Sequence, residues 1–464
     1  MDLRLYTAIL VGKTIALINK ITGSGATAAP GLYALKVDKN IVKKLSKNIS
    51  GGNILISGTN GKTTTSRLIA NVLSKKYKLI HNRQGSNLLR GLASTLISQS
   101  SILGKIEADI ALWEIDEATL PQAIDETNPK IITLLNLFRD QLDRYGEVDT
   151  TRAKWQQSLK NLKKDVTLIL NADDPGITIL AKSFGGKVVY FGIEDKKLNL
   201  AKITQVSDIK FCPNCNAKLS YTVNLSAQMG HYLCPTCPFK RPKPQVFASN
   251  LKFNNDFSTT IDVSTSEKLT DNGSQFTVQY QLPGLYNVYN ILAATASSQT
   301  IGIDEKKTST SFMDFSAAFG RFQSVTIGTK KATIFLIKNP TGANEVIRII
   351  ATQKNLNVLA VLNDKIADGR DVSWIWDTNW EVIVPKIKNL TISGTRCWDL
   401  TTRIKYTDFK LNKNNVYEDI NYSLKKSLEN MNTKDTLIIL PTYTAMLEIQ
   451  KNLQKQGGGP WHKD

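Results

Sequence analysis

Acidic residues are in short supply. The chain has 40 Asp and Glu against 59 Lys and Arg, a formal net charge of +19 over 464 residues. That balance points to an anionic partner: nucleic acid, an acidic membrane face or a phosphorylated substrate. It does not choose among them, because scattered lysine such as Lys39, Lys43, Lys44 and Lys47 is what a solvated face carries. Histidine is rarer still, with His81, His231 and His462 far apart in sequence. Five cysteines, four of them in two Cys-x-x-Cys pairs, do not make the framework of a secreted, disulfide-stapled domain. A clean spanning segment is also missing. The apolar run Leu5–Ile18 is interrupted by Lys13 and is too short and polar to cross a bilayer. Ala26-Thr27-Ala28-Ala29 has the look of a signal-peptidase site, but only Arg4 precedes the run as a basic residue, which argues against secretion. The run reads as a helix packed on its own domain or lying at a membrane surface, and both readings stay open.

Length and an apolar content of 41% are enough for two or three ordinary cores. The most informative stretch is Ser57-Gly58-Thr59-Asn60-Gly61-Lys62-Thr63-Thr64. It follows Asn53-Ile54-Leu55-Ile56, which reads as a buried strand, and precedes a helical pattern from Ser66 to Leu73. Strand, glycine turn, Lys, Thr, helix is the layout of a phosphate-binding loop. The glycines let backbone N–H groups turn to an anion, and the helix N-terminus adds the positive end of its dipole. Lys62 would meet the outer phosphates of ATP and Thr63 would offer a hydroxyl to Mg²⁺. The usual first glycine of the Walker pattern is replaced by Ile56, so the match is to a variant. An ATP site predicts a cytoplasmic protein, at most at the inner face of the membrane. Glu114 closes an apolar run, Ile110–Trp113, and a carboxylate at that strand end can reach the same metal.

Strand-like runs near 53–57, 110–114, 131–135, 166–170 and 188–191 alternate with helical patterns, which predicts a mostly parallel sheet with helices on both faces. Ligands of such sheets sit at the carboxyl ends of the strands, where the loop, Glu114 and Asn136 fall. The expected organisation is a short N-terminal segment (1–50), a central ATPase unit (51–315), a second α/β unit without its own phosphate loop (316–456), and a disordered tail (457–464). Within the central unit, about 205–245 breaks the pattern with Cys212-Pro213-Asn214-Cys215 and Cys234-Pro235-Thr236-Cys237. Two knuckles 18 residues apart (216–233) predict a zinc ribbon. Four thiolates close a tetrahedron, so the zinc should be structural. Cys397 stands alone and reads as a buried thiol.

Several motifs resemble the Mur ligases and their folylpolyglutamate synthase relatives. They are Gly58–Thr64, Asn136-Leu137-Phe138-Arg139-Asp140-Gln141-Leu142-Asp143, Ala153-Lys154-Trp155, Asn171-Ala172-Asp173-Asp174-Pro175, Gly284–Asn290 and Gly320-Arg321-Phe322-Gln323. The resemblance implies a central P-loop ATPase domain and a C-terminal Rossmann-like domain that closes on it. Carried over by position, Lys62 grips phosphates, Thr63 and Glu114 hold Mg²⁺, Asn287 and Asn290 face the adenosine, and Arg321 the phosphates. Lys154 falls where many members carry a carbamylated lysine. The familiar Asp-His-Leu-Asp is Asp140-Gln141-Leu142-Asp143 here, which leaves a second Mg²⁺ without its usual histidine.

Asn363–Asp377, the glycine-rich Gly23–Gly31, the shortened N-terminus and the ribbon are similar to the MurT branch, the ligase subunits of lipid II isoglutaminyl synthases. That similarity implies ATP-dependent amidation of the D-glutamate α-carboxylate of the lipid II stem peptide, with ammonia from a GatD-type glutaminase subunit. It also gives Asp371, with Asp368 second, the task of orienting the partner's catalytic histidine. Two other readings compete. An amino-acid-adding ligase of the same family would need a full N-terminal domain for a UDP precursor. A nucleic-acid binder would need exposed aromatics among basic residues near the ribbon, of which Phe239-Lys240-Arg241-Pro242-Lys243 is a weak version. The reading adopted excludes nucleic acid.

Overall fold

A computed structural model of the chain describes residues 2–22, 27–83, 86–138, 148–200, 208–254, 256–267, 269, 273–313, 315, 322–410 and 413–455. The tail read as disordered, 457–464, lies outside them.

Three helices come first: α1 (Leu3–Thr22), α2 (Ala29–Val37) and α3 (Ile41–Ser46). They are followed by β1 (Asn53–Ser57), α4 (Lys62–Leu73), β2 (Leu79–His81), α5 (Leu89–Gln99), β3 (Ile110–Glu114), α6 (Leu120–Thr127), β4 (Ile131–Leu134), α7 (Val148–Lys160), β5 (Thr167–Asn171), α8 (Pro175–Thr178) and β6 (Lys187–Ile193). These six strands are parallel in the order β6-β5-β4-β1-β3-β2. Every residue of β1 is buried. Ile54 and Ile56 face α4, while Leu55 faces α5 and α6, which is why the strand reads as one apolar run. Chain order reverses at β1, between β3 and β4, so the crevice for a ligand opens above the carboxyl end of β1.

A hairpin, β7 (Ser220–Ser226) and β8 (Met229–Leu233), interrupts the sheet. Strands β9 (Val246–Phe253), β10 (Thr259–Thr265) and β11 (Ser274–Tyr280) then extend it beside β6 to nine strands. The last three pair antiparallel, and β10 alternates buried and half-buried residues as a sheet with one covered face should. Helix α9 (Leu285–Thr300), buried over most of its length, lies against α4 and β6, and α10 (Glu305–Met313) follows.

The second sheet runs β12-β13-β17-β14-β15-β16: Phe322–Ile327, Lys330–Phe335, Thr436–Pro441, Leu356–Val361, Ile387–Ser393 and Val416–Tyr417. Only β12 and β13 pair antiparallel. Its helices are α11 (Pro340–Ile350), α12 (Cys397–Lys405), α13 (Ile420–Glu429) and α14 (Tyr443–Lys455). Phe257, in the β9–β10 turn, packs edge-on against Phe322 and Phe335 at centroid distances of 5.9 and 5.4 Å, which ties the two sheets together.

The N-terminal helices share the core on the α5 and α6 face of the large sheet. Helix α2 crosses α5 so closely that a Cβ on Gly31 would lie 2.0 Å from the Arg90 carbonyl oxygen. The Ser94 amide nitrogen would be 2.6 Å away, and since both atoms are backbone neither can rotate away. Gly31→Ala should therefore cost about 1–3 kcal/mol of stability, seen as a lower midpoint in thermal unfolding. A midpoint equal to the parent's would show that the crossing relaxes freely.

Candidate active site and metal centre

The loop after β1 turns through two glycines in the left-handed half of φ space, Gly58 (φ 143°) and Gly61 (φ 91°). Gly61 has a second constraint, since a Cβ there would sit 2.2 Å from Asn290 Oδ1. Asn136 holds the outside of the turn. Its side chain accepts from the Asn60 N–H at 2.8 Å and donates to the Asn60 carbonyl at 2.9 Å. Thr59 is fixed to Phe138 through both backbone groups of that residue.

Lys62 and Thr63 open α4 beneath this turn. Lys62 is buried and its Nζ donates to the carbonyls of Gly58 (2.5 Å) and Thr59 (3.3 Å) and to Glu117 Oε2 (2.9 Å). Thr63 Oγ1 donates to Glu114 Oε1 at 2.8 Å. Glu114 is itself seated by Asn82, whose amide accepts from its N–H and donates to its carbonyl, both at 2.9 Å. The structure thus gathers Lys62, Thr63 and Glu114 at one strand end. It adds Glu117, which the sequence reading missed although it stands three residues beyond Glu114 in Glu114-Ile115-Asp116-Glu117. Its carbonyl in turn accepts the Trp155 indole N–H at 2.9 Å, which ties α7 to the site. Lys154, the neighbouring residue, is exposed.

A cleft of about 980 Å³, counting its open mouth, lies between the two sheets. One wall carries Asn60, Asn136, Asn287 and Asn290; the other carries Phe322, Lys338 and Glu345. Asn287 and Asn290 belong to α9 and are joined to the loop: Asn290 donates to Asn287 at 3.0 Å and its Oδ1 accepts from Thr65 at 3.1 Å. Asn339, capping α11, donates to Asn60 Oδ1 at 3.2 Å, so the second sheet reaches the loop directly. Arg321 and Asp140–Asp143 lie outside the described residues.

The four ribbon cysteines come together. Their sulfurs all lie within 4.8 Å of one another, with Cys212–Cys237 at 3.7 Å and Cys215–Cys234 at 3.4 Å. Thiolates about 2.3 Å from a tetrahedral metal stand about 3.8 Å apart, so this set can hold one. Asn214 donates to the sulfurs of Cys212 and Cys237, and its side-chain amide draws the Cys237 thiol down to about 6. The ribbon is not a free appendage. Its hairpin tip places Ser226 and Met229 in the cleft, where Ser226 donates to Glu345 at 2.7 Å. Arg241, from the basic run after the ribbon, turns inward to Asp173 (2.6 Å) and Glu194 (2.7 Å). Asp173 also accepts from Tyr289 of α9, at 2.8 Å. Nothing in the sequence marked Ser226, Glu345 or Arg241 for these contacts, since each depends on elements far apart in the chain.

Two buried groups have displaced titrations. Burial pushes the Asp174 carboxyl up to about 7 even though Leu137 and Gly176 donate to it. Burial, helped by the Arg83 and Arg67 charges, brings His81 down to about 3, so its ring is neutral. In the second unit Asp368 is buried and accepts from the Thr444 N–H (2.7 Å) and hydroxyl, capping α14. Asp371 is exposed, and its contact with Ser373 holds its carboxyl below the usual range. Cys397 is buried in α12.

The Mur ligase middle domain family matches residues 56–232, and the MurT ligase C-terminal family matches residues 336–446. The lipid II isoglutaminyl synthase (glutamine-hydrolyzing) subunit MurT of Streptococcus pneumoniae is 34% identical over 98% of both chains. The protein of that name from Staphylococcus aureus is 32% identical over 98% of this chain and 99% of its own. Among solved structures, a pseudomurein peptide ligase type C from Methanothermus fervidus superposes with a TM-score of 0.65 at 22% identity, covering 89% of this chain and 80% of its own. With full-length relatives, two matching families and a shared fold, the chain belongs to the MurT branch of the Mur ligase family.

Proposed function

We propose that this chain amidates the α-carboxylate of the D-glutamate in the lipid II stem peptide, using ATP, with ammonia supplied by a GatD-type glutaminase subunit. The observation that carries the reading is the Lys62–Thr63–Glu114 group beneath a glycine turn, facing a cleft shared by both sheets. The relatives' name, a subunit of a glutamine-hydrolysing synthase, supports both the substrate and the second subunit.

The chemistry follows from the difficulty of the bond. A carboxylate oxygen is a poor leaving group, so the substrate carboxylate attacks the γ-phosphorus of ATP, ADP departs, and an acyl phosphate forms. Ammonia then attacks the acyl carbon, phosphate leaves, and the nitrogen loses a proton to give the amide. Lys62 and the loop N–H groups would offset charge on the transferring phosphoryl group. Mg²⁺ at Thr63 and Glu114 would neutralise further phosphate charge. Asn287 and Asn290 would place the adenosine, with Arg321 near the phosphates. Delivery of neutral ammonia beside the acyl phosphate avoids its loss as ammonium and gains from proximity.

Asp371 is the better candidate than Asp368 for reaching the partner's histidine, because Asp368 is occupied in capping α14 while Asp371 is at the surface. Cys397 is buried, as a structural thiol would be. The ribbon would hold structural zinc and fix the hairpin that lines the cleft. Addition of a whole amino acid remains the alternative reaction for this fold.

Four outcomes are expected. With the partner subunit present, Lys62→Ala should lose about 10²–10³-fold in turnover whether glutamine or ammonium feeds it. Asp371→Ala should lose only the glutamine-fed reaction; equal loss of both would remove Asp371 from the partner's site. Zinc analysis should give one ion per chain. Its removal by chelation should lower the thermal midpoint and raise KM for ATP through Ser226 and Met229. A metal-free chain with unchanged KM would separate the ribbon from the cleft.

A further inference from the structure

Helix α1 is amphipathic in an unusual sense, with apolar residues on two opposite faces. One face is committed to the protein: Ala8, Ile9 and Gly12 are buried, and a Cβ on Gly12 would lie 2.8 Å from Ile97 Cδ1 of α5. The other face is bare. Leu3, Leu10, Leu17, Ile18 and Ile21 are 51–76% exposed. At about 100° per residue these five fall within an arc of about 100°, centred opposite Gly12.

Three further observations say what covers this stripe. Thr7 and Thr14 lie within the same arc, and their hydroxyls donate to the carbonyls of Leu3 and Leu10, so the stripe presents no unsatisfied donor to an apolar medium. Lys13 and Lys20 flank it on one side and Arg4 on the other, as side chains that reach back to a polar boundary do. No Asp or Glu occurs from Leu3 to Val37, where α2 adds exposed Leu32 and Tyr33, with Lys36 over the Tyr33 ring at 5.2 Å. Pairing of this face with a second copy would bring like charges together across the contact. A spanning role conflicts with the face already packed on α5.

We infer that α1 lies along an anionic lipid bilayer, with its Leu3–Ile21 stripe in the acyl boundary and Arg4, Lys13 and Lys20 at the headgroups. Helix α5 begins beside the β3 end of the sheet, where the Asp116 N–H donates to the Asn87 carbonyl. The bilayer would then lie beyond the α5 face of the large sheet. This deepens the proposed use of a lipid-linked substrate, but it is tested without that substrate.

The test is co-sedimentation of the full chain with vesicles of phosphatidylglycerol and phosphatidylcholine in equal parts, against phosphatidylcholine alone. The parent chain should bind the anionic vesicles and lose binding as salt is raised. Leu10→Glu/Leu17→Glu should weaken binding at least about tenfold. Lys13→Gln/Lys20→Gln, which leaves the apolar stripe intact, should weaken it about fivefold for each lysine. Should the leucine variant unfold at lower temperature, the lysine variant decides. Failure of the parent to bind, or equal binding by the lysine variant, overturns the proposal. So does a dimer of the parent that the leucine variant dissolves, since a second copy would then own the stripe. Loss of amidation with retained vesicle binding would count against the reaction and not against the surface.

Discussion

The turn from Gly58 to Gly61 is the constraint on which the rest depends. A fully buried strand delivers it, two positive-φ glycines shape it, and Asn136 and Asn290 grip it from either side. Because the loop is held by backbone contacts, Lys62 and Thr63 emerge in fixed positions at the start of α4, within reach of Glu117 and Glu114. A buried lysine is costly unless paired, and the Glu117 contact supplies the partner. The same loop is where the second sheet touches the first, through Asn339 and Asn60. A phosphate on this loop would therefore be sensed by both halves of the cleft.

Around that centre the ribbon acts as a strut. Its cysteine cluster flanks the base of the hairpin, and the hairpin tip bonds to α11 through Ser226 and Glu345. Arg241 fastens its far side to Asp173, which also accepts from the helix that carries Asn287 and Asn290. Hairpin and cleft are thus connected by hydrogen bonds between buried or half-buried groups, where a lost partner is costly.

The features legible in the sequence were those that depend on local spacing. Strand β1, the glycine turn and α4 could be read because an apolar run, a turn and a helical period follow one another without interruption. The cysteine pairs could be read because tetrahedral ligation needs four thiolates and the knuckle spacing supplies them. Features set by distant partners were not legible. Strand β2, only Leu79–His81, is too short for any period to show. Arg241 read as part of a weak nucleic-acid-binding signal near the ribbon, yet its side chain is turned in against two carboxylates that follow β5 and β6. Glu117 was hidden beside a more obvious acid at a strand end. For α1 the sequence offered packing or membrane as alternatives, and the helix has one apolar face packed on α5 and a second left exposed.

In the proposed function, one chain activates a carboxylate for attack by ammonia. The most direct measurement is the mass of lipid II after incubation with ATP, Mg²⁺, ammonium and the purified chain. A loss of about 1 Da per stem peptide, the replacement of OH by NH₂, is expected together with ATP hydrolysis. ATP turnover with no mass change, or the gain of a whole amino acid residue, would contradict it.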